Sequence, residues 1–136
     1  MAKTQISTLR NPDTIHAPLG AYSHQVEIPA GARWLAMAGQ VGADKEGRVS
    51  QDPVEQARQC LENIRSNIEA AGMEVRDIVK LNWYVVGSID AQRRRELLME
   101  FLGDHRPAST LVYVVASGVA RLQGRDRGLG LQGLAS

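Results

Sequence analysis

The side chains best able to do nucleophilic, acid–base or metal chemistry in this chain are three histidines, one cysteine and a scatter of serines. His16, His24 and His105 stand far apart in sequence, each in or beside a predicted loop. Metal ligation by them requires a fold that gathers them, so surface or loop-packing roles are expected and no metal is assigned. Cys60 borders a predicted apolar helix face, which favours a packed thiol over a nucleophile. Ser23 and Ser109 lack the strand–turn–helix context of an activated serine. There is no P-loop, no G-x-G-x-x-G after a strand, no H-E-x-x-H and no pair of cysteines. Motifs of this kind leave the function open.

The elements that must position these residues are easier to read. Residues 11–20 hold Pro12, Pro18 and Gly20 and form an irregular lead-in. Tyr22 to Ile28 and Trp34 to Val41, separated by Pro29-Ala30-Gly31, are predicted to pair as a β-hairpin. Asp44 to Ser50 is a polar loop. The strongest signal follows it. Asp52 can cap a helix, Pro53 suits its first position, and Glu55 completes a box-like D-x-x-E start. Val54, Ala57, Leu61, Ile64, Ile68 and Ala71 recur at helical spacing, and Gly72 supplies a left-handed stop. Ile78 to Val86 reads as a buried strand. Asp90 begins a second helix that buries Leu97, Leu98, Phe101 and Leu102 and ends at Gly103. Thr110 to Val115 is a third strand run. The order β-β-α-β-α-β predicts one α+β domain over residues 1–136, its two helices packed on one face of a mixed sheet. The other sheet face then needs a cover, and self-association is the economical one.

Composition narrows the partners. Of 136 residues, 43% are hydrophobic and 23% charged, as in ordinary soluble domains. No apolar run approaches the roughly 20 residues that span a bilayer, and Met1 to Arg10 lacks the apolar centre of a secretory leader. A lone cysteine fits a reducing cytoplasm. The net charge of +1 and 4% aromatic content give no footprint for nucleic acid. Arg93-Arg94-Arg95 is the one dense basic run, and it is read as a solvated helix face.

Several stretches, in order, resemble the Rid family (reactive-intermediate deaminase, YjgF-type, also labelled endoribonuclease L-PSP). Asn11-Pro12 and Gly20-Ala21-Tyr22-Ser23-His24 resemble its N-P…G-x-Y-S opening, and Ala38-Gly39-Gln40 its S-G-Q. Glu55-Gln56…Asn63-Ile64…Ala70-Ala71-Gly72 resembles its long helix, Asp77-Ile78-Val79-Lys80 the entry to its next strand, and Pro107-Ala108-Ser109-Thr110 its P-A-R-S. The resemblance implies a chorismate-mutase-like fold and a homotrimer with a small-molecule ligand in the clefts between subunits. It also implies cofactor-free hydrolysis of imines and enamines. In that chemistry an arginine holds the substrate carboxylate by a two-pronged hydrogen bond and a glutamate positions water.

Carried over by position, the site would comprise Tyr22, Ala38, Gly39, Arg95, Ser109, Leu111 and Arg125, with Tyr22 and Ser109 the candidates for catalysis. Four departures stand out. Ala38 replaces the serine of S-G-Q, Arg95 an asparagine, and Leu111 a small residue. Ser109 replaces the carboxylate-holding arginine, removing a fixed positive charge and five donors, so P-A-S-T members are a subgroup for which the imine reaction is not assumed.

The tail is a separate anomaly. Gly118 to Ser136 reads G-V-A-R-L-Q-G-R-D-R-G-L-G-L-Q-G-L-A-S, where the family has a strand resembling L-A-S-P-D-F-K-V-E-I-E-A-W-A. Glycines at 124, 128, 130 and 133 suit a strand poorly, and a weakened edge strand is expected. Permitted codons for this tail, read one base later, give A-S-P-D-F-K, then V-E-I-E-A-W-A, then C-K-A-S. The degenerate third bases become freely chosen middle bases, and the remaining bases are mostly forced. A frameshift beginning near Val115 is therefore entertained beside a true glycine-rich tail; in the shifted frame a glutamate replaces Arg125. Three functions stay open: a deaminase or hydrolase of small C=N metabolites, a non-catalytic trimer that binds a small metabolite, and, disfavoured by charge and aromatic content, an RNA-acting protein.

Overall fold

In the computed structural model of the chain, residues 6–116 and the backbone of residues 129–135 are described. Helix α1, Pro53–Ala70, starts as its sequence dictates: the Asp52 carboxylate accepts from the Val54 amide at 3.0 Å, and Pro53 occupies the first turn, where no amide donor is needed. The expected D-x-x-E box does not close. The Asp52 amide donates to Ser50 Oγ at 3.1 Å, two residues back, and Glu55 pairs with Arg58 instead. A local hydroxyl wins the amide because it needs less chain ordering. Gly72, at φ +73°, ends the helix as expected. Val54, Ala57, Leu61, Ile64 and Ile68 are buried, as the stripe predicts.

Strand β5, Ile78–Val86, follows, and helix α2, Ala91–Leu102, is capped by the Asp90 carboxylate on the Arg93 amide at 2.8 Å. Strand β6, Ala108–Val114, lies parallel to β5, with Leu81 beside Ser109 and Trp83 beside Leu111. The helix between them is the crossover that parallel neighbours require. Both helices contribute to one core with Met37, Ile78, Leu81, Trp83 and Val85. The result is an α+β fold with a mixed sheet.

Two expectations are corrected. The hairpin of residues 22–28 with 34–41 does not form. Strand β2, Gln25–Glu27, pairs antiparallel with β1, Thr8–Arg10. The 34–41 run breaks into β3, Leu35–Ala36, and β4, Gln40–Val41, which pair with β7, Leu129–Ala135. The tail strand is the second correction. It lies between β3/β4 and β5, antiparallel to both, so it is central rather than an edge. Gly130 and Gly133 each cost about 0.5–1 kcal/mol relative to alanine, but Gly130 lies opposite both Val41 and Tyr84, a two-sided ladder that an edge position denies, while Gly133 lies opposite Leu81.

Opposite the helices, β5 and β6 present Lys80, Asn82, Tyr84, Thr110 and Val112. Lys80 Nζ donates to Thr110 Oγ1 at 2.7 Å, and Tyr84 and Val112 are exposed. No described element covers this face.

Candidate functional site

Tyr22 lies in a loop tied down at several points. Its hydroxyl accepts from the Leu19 amide at 3.1 Å and its own amide donates to the Gly20 carbonyl at 3.0 Å. The amide of buried Ser23 donates to the Pro107 carbonyl at 3.2 Å, and the His24 amide to Asn11 Oδ1 at 2.8 Å. Pro107 is fully buried, and half-buried Ser109 follows it on β6. The loop that carries Tyr22 is thus tied to the start of β6, two residues before Ser109.

The histidines support this arrangement. His16 and His24, separated in sequence, meet edge to face at 4.9 Å, and Tyr22 meets His24 at 5.6 Å. His24 Nε2 bonds the His16 carbonyl at 2.7 Å and His16 Nδ1 the Ala17 carbonyl at 2.8 Å. A carbonyl only accepts, so both nitrogens carry protons. His105 Nε2 likewise donates to the Ile78 carbonyl at 2.7 Å, pinning the start of β5. These are the loop-packing roles expected of them. Among the described residues, no three His, Cys, Asp or Glu side chains gather as a metal site.

Ala38 and Gly39 occupy the break between β3 and β4 and are exposed. Gln40 folds back, its amide donating to the Ala38 carbonyl at 3.1 Å. One flank of α1 holds this turn from below. Cys60 Sγ donates to the Gln40 carbonyl at 3.4 Å, Asn63 Nδ2 to the Val41 and Ala43 carbonyls at 3.2 and 3.0 Å, and Gln56 Nε2 to the Ser50 carbonyl at 2.7 Å. Gly42 allows this approach, since a Cβ there would lie 2.6 Å from the Gln56 Cα. Burial pushes the Cys60 thiol up to about 12, so its thiolate is negligible at neutral pH and a packed thiol is what the fold contains. Gln56 and Asn63 are positioning residues that motif spacing alone does not identify; their signal in the sequence is two amides flanking the apolar stripe at i and i+7.

One chain does not unite all the candidates. The Ala38–Gly39 turn and Ser109 are separated by β7 and β5, about 14 Å at three inter-strand spacings. Arg95 is exposed on α2, whereas Arg94 turns inward over Trp83. Leu111 packs against the core. Arg125 lies outside the described residues. A groove of about 140 Å3 between α1 and α2, lined by Arg58, Arg65 and Phe101 among others, includes none of the candidates. No described helix is long and apolar enough to cross a membrane.

Comparison with known proteins gives a consistent answer. The family model "Endoribonuclease L-PSP" matches residues 14–122. A 2-iminobutanoate/2-iminopropanoate deaminase of Salmonella typhimurium is 35% identical over 118 residues, 84% of this chain and 86% of the relative. A RutC family protein of Pyrococcus horikoshii is 33% identical over 99 residues, 71% of this chain and 76% of its own. Among solved structures, the Rid protein YyfB of Yersinia pestis superposes with a TM-score of 0.80 at 25% identity, covering 95% of this chain and 97% of that one. The YjgF gene product of Escherichia coli gives 0.66 at 28% identity, with 98% of each chain covered.

Proposed function

The chain belongs to the endoribonuclease L-PSP family, the group of Rid and YjgF proteins, and on that premise we propose that it is a cofactor-free hydrolase or deaminase of small imine or enamine metabolites whose specificity differs from that of its 2-iminobutanoate-named relatives. The observation that supports this reading is the 3.2 Å hydrogen bond from Ser23 to Pro107, which ties the Tyr22 loop to the strand that carries Ser109. Tyr22 orients the substrate, the Gly39 backbone contributes polar groups, and Ser109 offers one hydroxyl where an arginine fork would grip a carboxylate. Ammonia release from freshly generated imines of differing charge tests it. Turnover of an uncharged imine above that of 2-iminobutanoate is the expected result; release from neither leaves the metabolite-binding reading.

The assembly belongs to the same proposal. The uncovered sheet face of Tyr84 and Val112, and the separation of the Ala38–Gly39 turn from Ser109, both favour a homotrimer of chorismate-mutase-like subunits with inter-subunit clefts. Light scattering on the purified protein should give three times the chain mass; a monomer at micromolar concentration would overturn it.

The tail bears directly on catalysis. The slot between β4 and β5 is central, a position that favours β-branched and aromatic residues, yet the written sequence offers Gly130 and Gly133. Read one base later, the tail supplies V-E-I-E-A-W-A in register, with a glutamate in place of Arg125 to position water. We infer a one-base frameshift near Val115, in the gene or in its determined sequence. Gene sequencing together with intact mass of the protein from its native source decides it. A gene and a mass that both match the written tail exclude an error in the determined sequence and leave only a shift carried by the gene itself.

A further inference from the structure

Each imidazole of the His16–His24 pair commits one nitrogen to the backbone and leaves the other open. His16 Nδ1 donates to the Ala17 carbonyl at 2.8 Å, and His24 Nε2 to the His16 carbonyl at 2.7 Å. A neutral imidazole carries one N–H, so the lone pairs lie on His16 Nε2 and His24 Nδ1. No described residue hydrogen-bonds to either of these nitrogens. Loop packing therefore accounts for the two N–H groups and gives the two lone pairs no partner. A carbonyl behind the ring is also what metal-bound histidines use, because it fixes the tautomer, aims the ring and raises the basicity of the other nitrogen.

The separation of the rings suits a shared ion. With metal–nitrogen bonds of about 2.0–2.1 Å, two imidazoles on one ion at about 90–110° have ring centroids roughly 4.5–5.2 Å apart. The observed 4.9 Å falls inside that span. The surroundings favour a cation. Residues 11–24 contain one acid, Asp13, and no lysine or arginine. Arg10, just before them, is paired with Glu27. His16 is exposed and His24 half-buried, so an ion reaches the pair from solvent. Asn11 Oδ1 accepts from the His24 amide at 2.8 Å, and the Ser23 amide donates to Pro107, so His24 is held in place before any ion arrives.

We propose that His16 Nε2 and His24 Nδ1 together bind one divalent transition-metal ion of the Cu2+, Ni2+ and Zn2+ class, with water completing its shell. Imidazole nitrogen suits these ions, whereas Mg2+ and Ca2+ require oxygen ligands. Among the described residues no third His, Cys, Asp or Glu joins the pair. Two neutral ligands make an exchangeable site rather than the closed, four-ligand kind that holds a fold together. The ion bridges residues 16 and 24 and so closes the loop that carries Tyr22, whose ring meets His24 at 5.6 Å. Neither imidazole has a part in the proposed hydrolysis, and the site stands independently of that reading.

Calorimetric titration of the tag-free protein with Cu2+, Ni2+ and Zn2+ should show one ion per chain, with Cu2+ held most tightly and Mg2+ unable to compete. His16→Asn and His24→Gln are matched variants. The Asn amide nitrogen stands in for Nδ1–H and the Gln amide nitrogen for Nε2–H, so each backbone bond is kept while the lone pair is lost. Each variant should weaken binding at least about tenfold, the least that loss of a supporting partner costs a metal site. Electron paramagnetic resonance at one equivalent of Cu2+ should show coupling to two imidazole nitrogens in the unaltered protein and to one in His16→Asn. Circular dichroism checks folding, and the resonance of the unaltered protein carries the test if a variant unfolds. Unchanged affinity in both variants, or coupling to a single nitrogen, would overturn the site. Two ions per chain, of which each variant loses one and keeps the other at full affinity, would show that the histidines act separately. Equal binding of Mg2+ would overturn the metal class. Ammonia release measured in chelator reports on the deaminase reading alone.

Discussion

Freshly generated 2-iminobutanoate should be turned over by this protein with a kcat/KM about 30-fold to several thousand-fold below that of a relative carrying arginine at the position of Ser109. The range follows from about 2–5 kcal/mol for removing one partner of a buried, hydrogen-bonded charge pair, at 1.4 kcal/mol per factor of ten. A serine hydroxyl offers one donor and no charge where a guanidinium offers five donors and a full charge. Ser109 is half-buried beside Leu81, so water replaces the lost partner only in part. The complementary variant, Ser109→Arg, should restore carboxylate binding, and with it turnover wherever a water-positioning glutamate is present in the tail strand. Ammonia release in a coupled assay reads both proteins. Rapid turnover by the unaltered chain would show that the arginine is dispensable, and the altered-specificity reading would fall with it.

The second large effect is on stability. Ile64 lies fully buried on α1, at the centre of the stripe that faces the sheet. Ile64→Ala should cost about 2–5 kcal/mol, the lost transfer energy plus the cavity left in a packed core. For a chain of this size, that lowers the melting temperature by roughly 10 °C. Ser66→Ala, two residues on and exposed, should change stability by less than about 0.5 kcal/mol. Thermal melts at one fixed protein concentration check both, since self-association makes the melting temperature concentration-dependent. Equal melting temperatures for the two variants would mean that the α1 stripe is not the core.

Some of the candidate site was legible in advance and some was not. The ordered motifs from Asn11 to Thr110 pointed to the family, and the departures at Ala38, Arg95, Ser109 and Leu111 are simple identities at aligned positions. The difference between Arg94 and Arg95 was invisible, because a basic triplet in a helix does not say which residue faces inward. Their 100° separation around the axis decides it, and only the docking of α2 on Trp83 fixes the phase. The meeting of His16 with His24 was hidden for a related reason. Eight residues of irregular lead-in have no periodicity from which a distance can be read.

The sequence by itself determined both helices, their caps at Asp52 and Asp90, the stop at Gly72, the buried faces and the strand runs at Ile78–Val86 and Thr110–Val115, the latter observed as Ala108–Val114. Those features rest on local hydrogen bonding and on spacing within one element, which a chain carries wherever it goes. Tertiary structure alone decided that residues 25–27 pair with 8–10, that the 34–41 run breaks at Ala38–Gly39, and that the glycine-bearing tail strand lies at the centre of the sheet. Strand pairing is a competition between distant partners, settled by the whole sheet. A short run such as Leu35–Ala36 holds no local record of which partner wins.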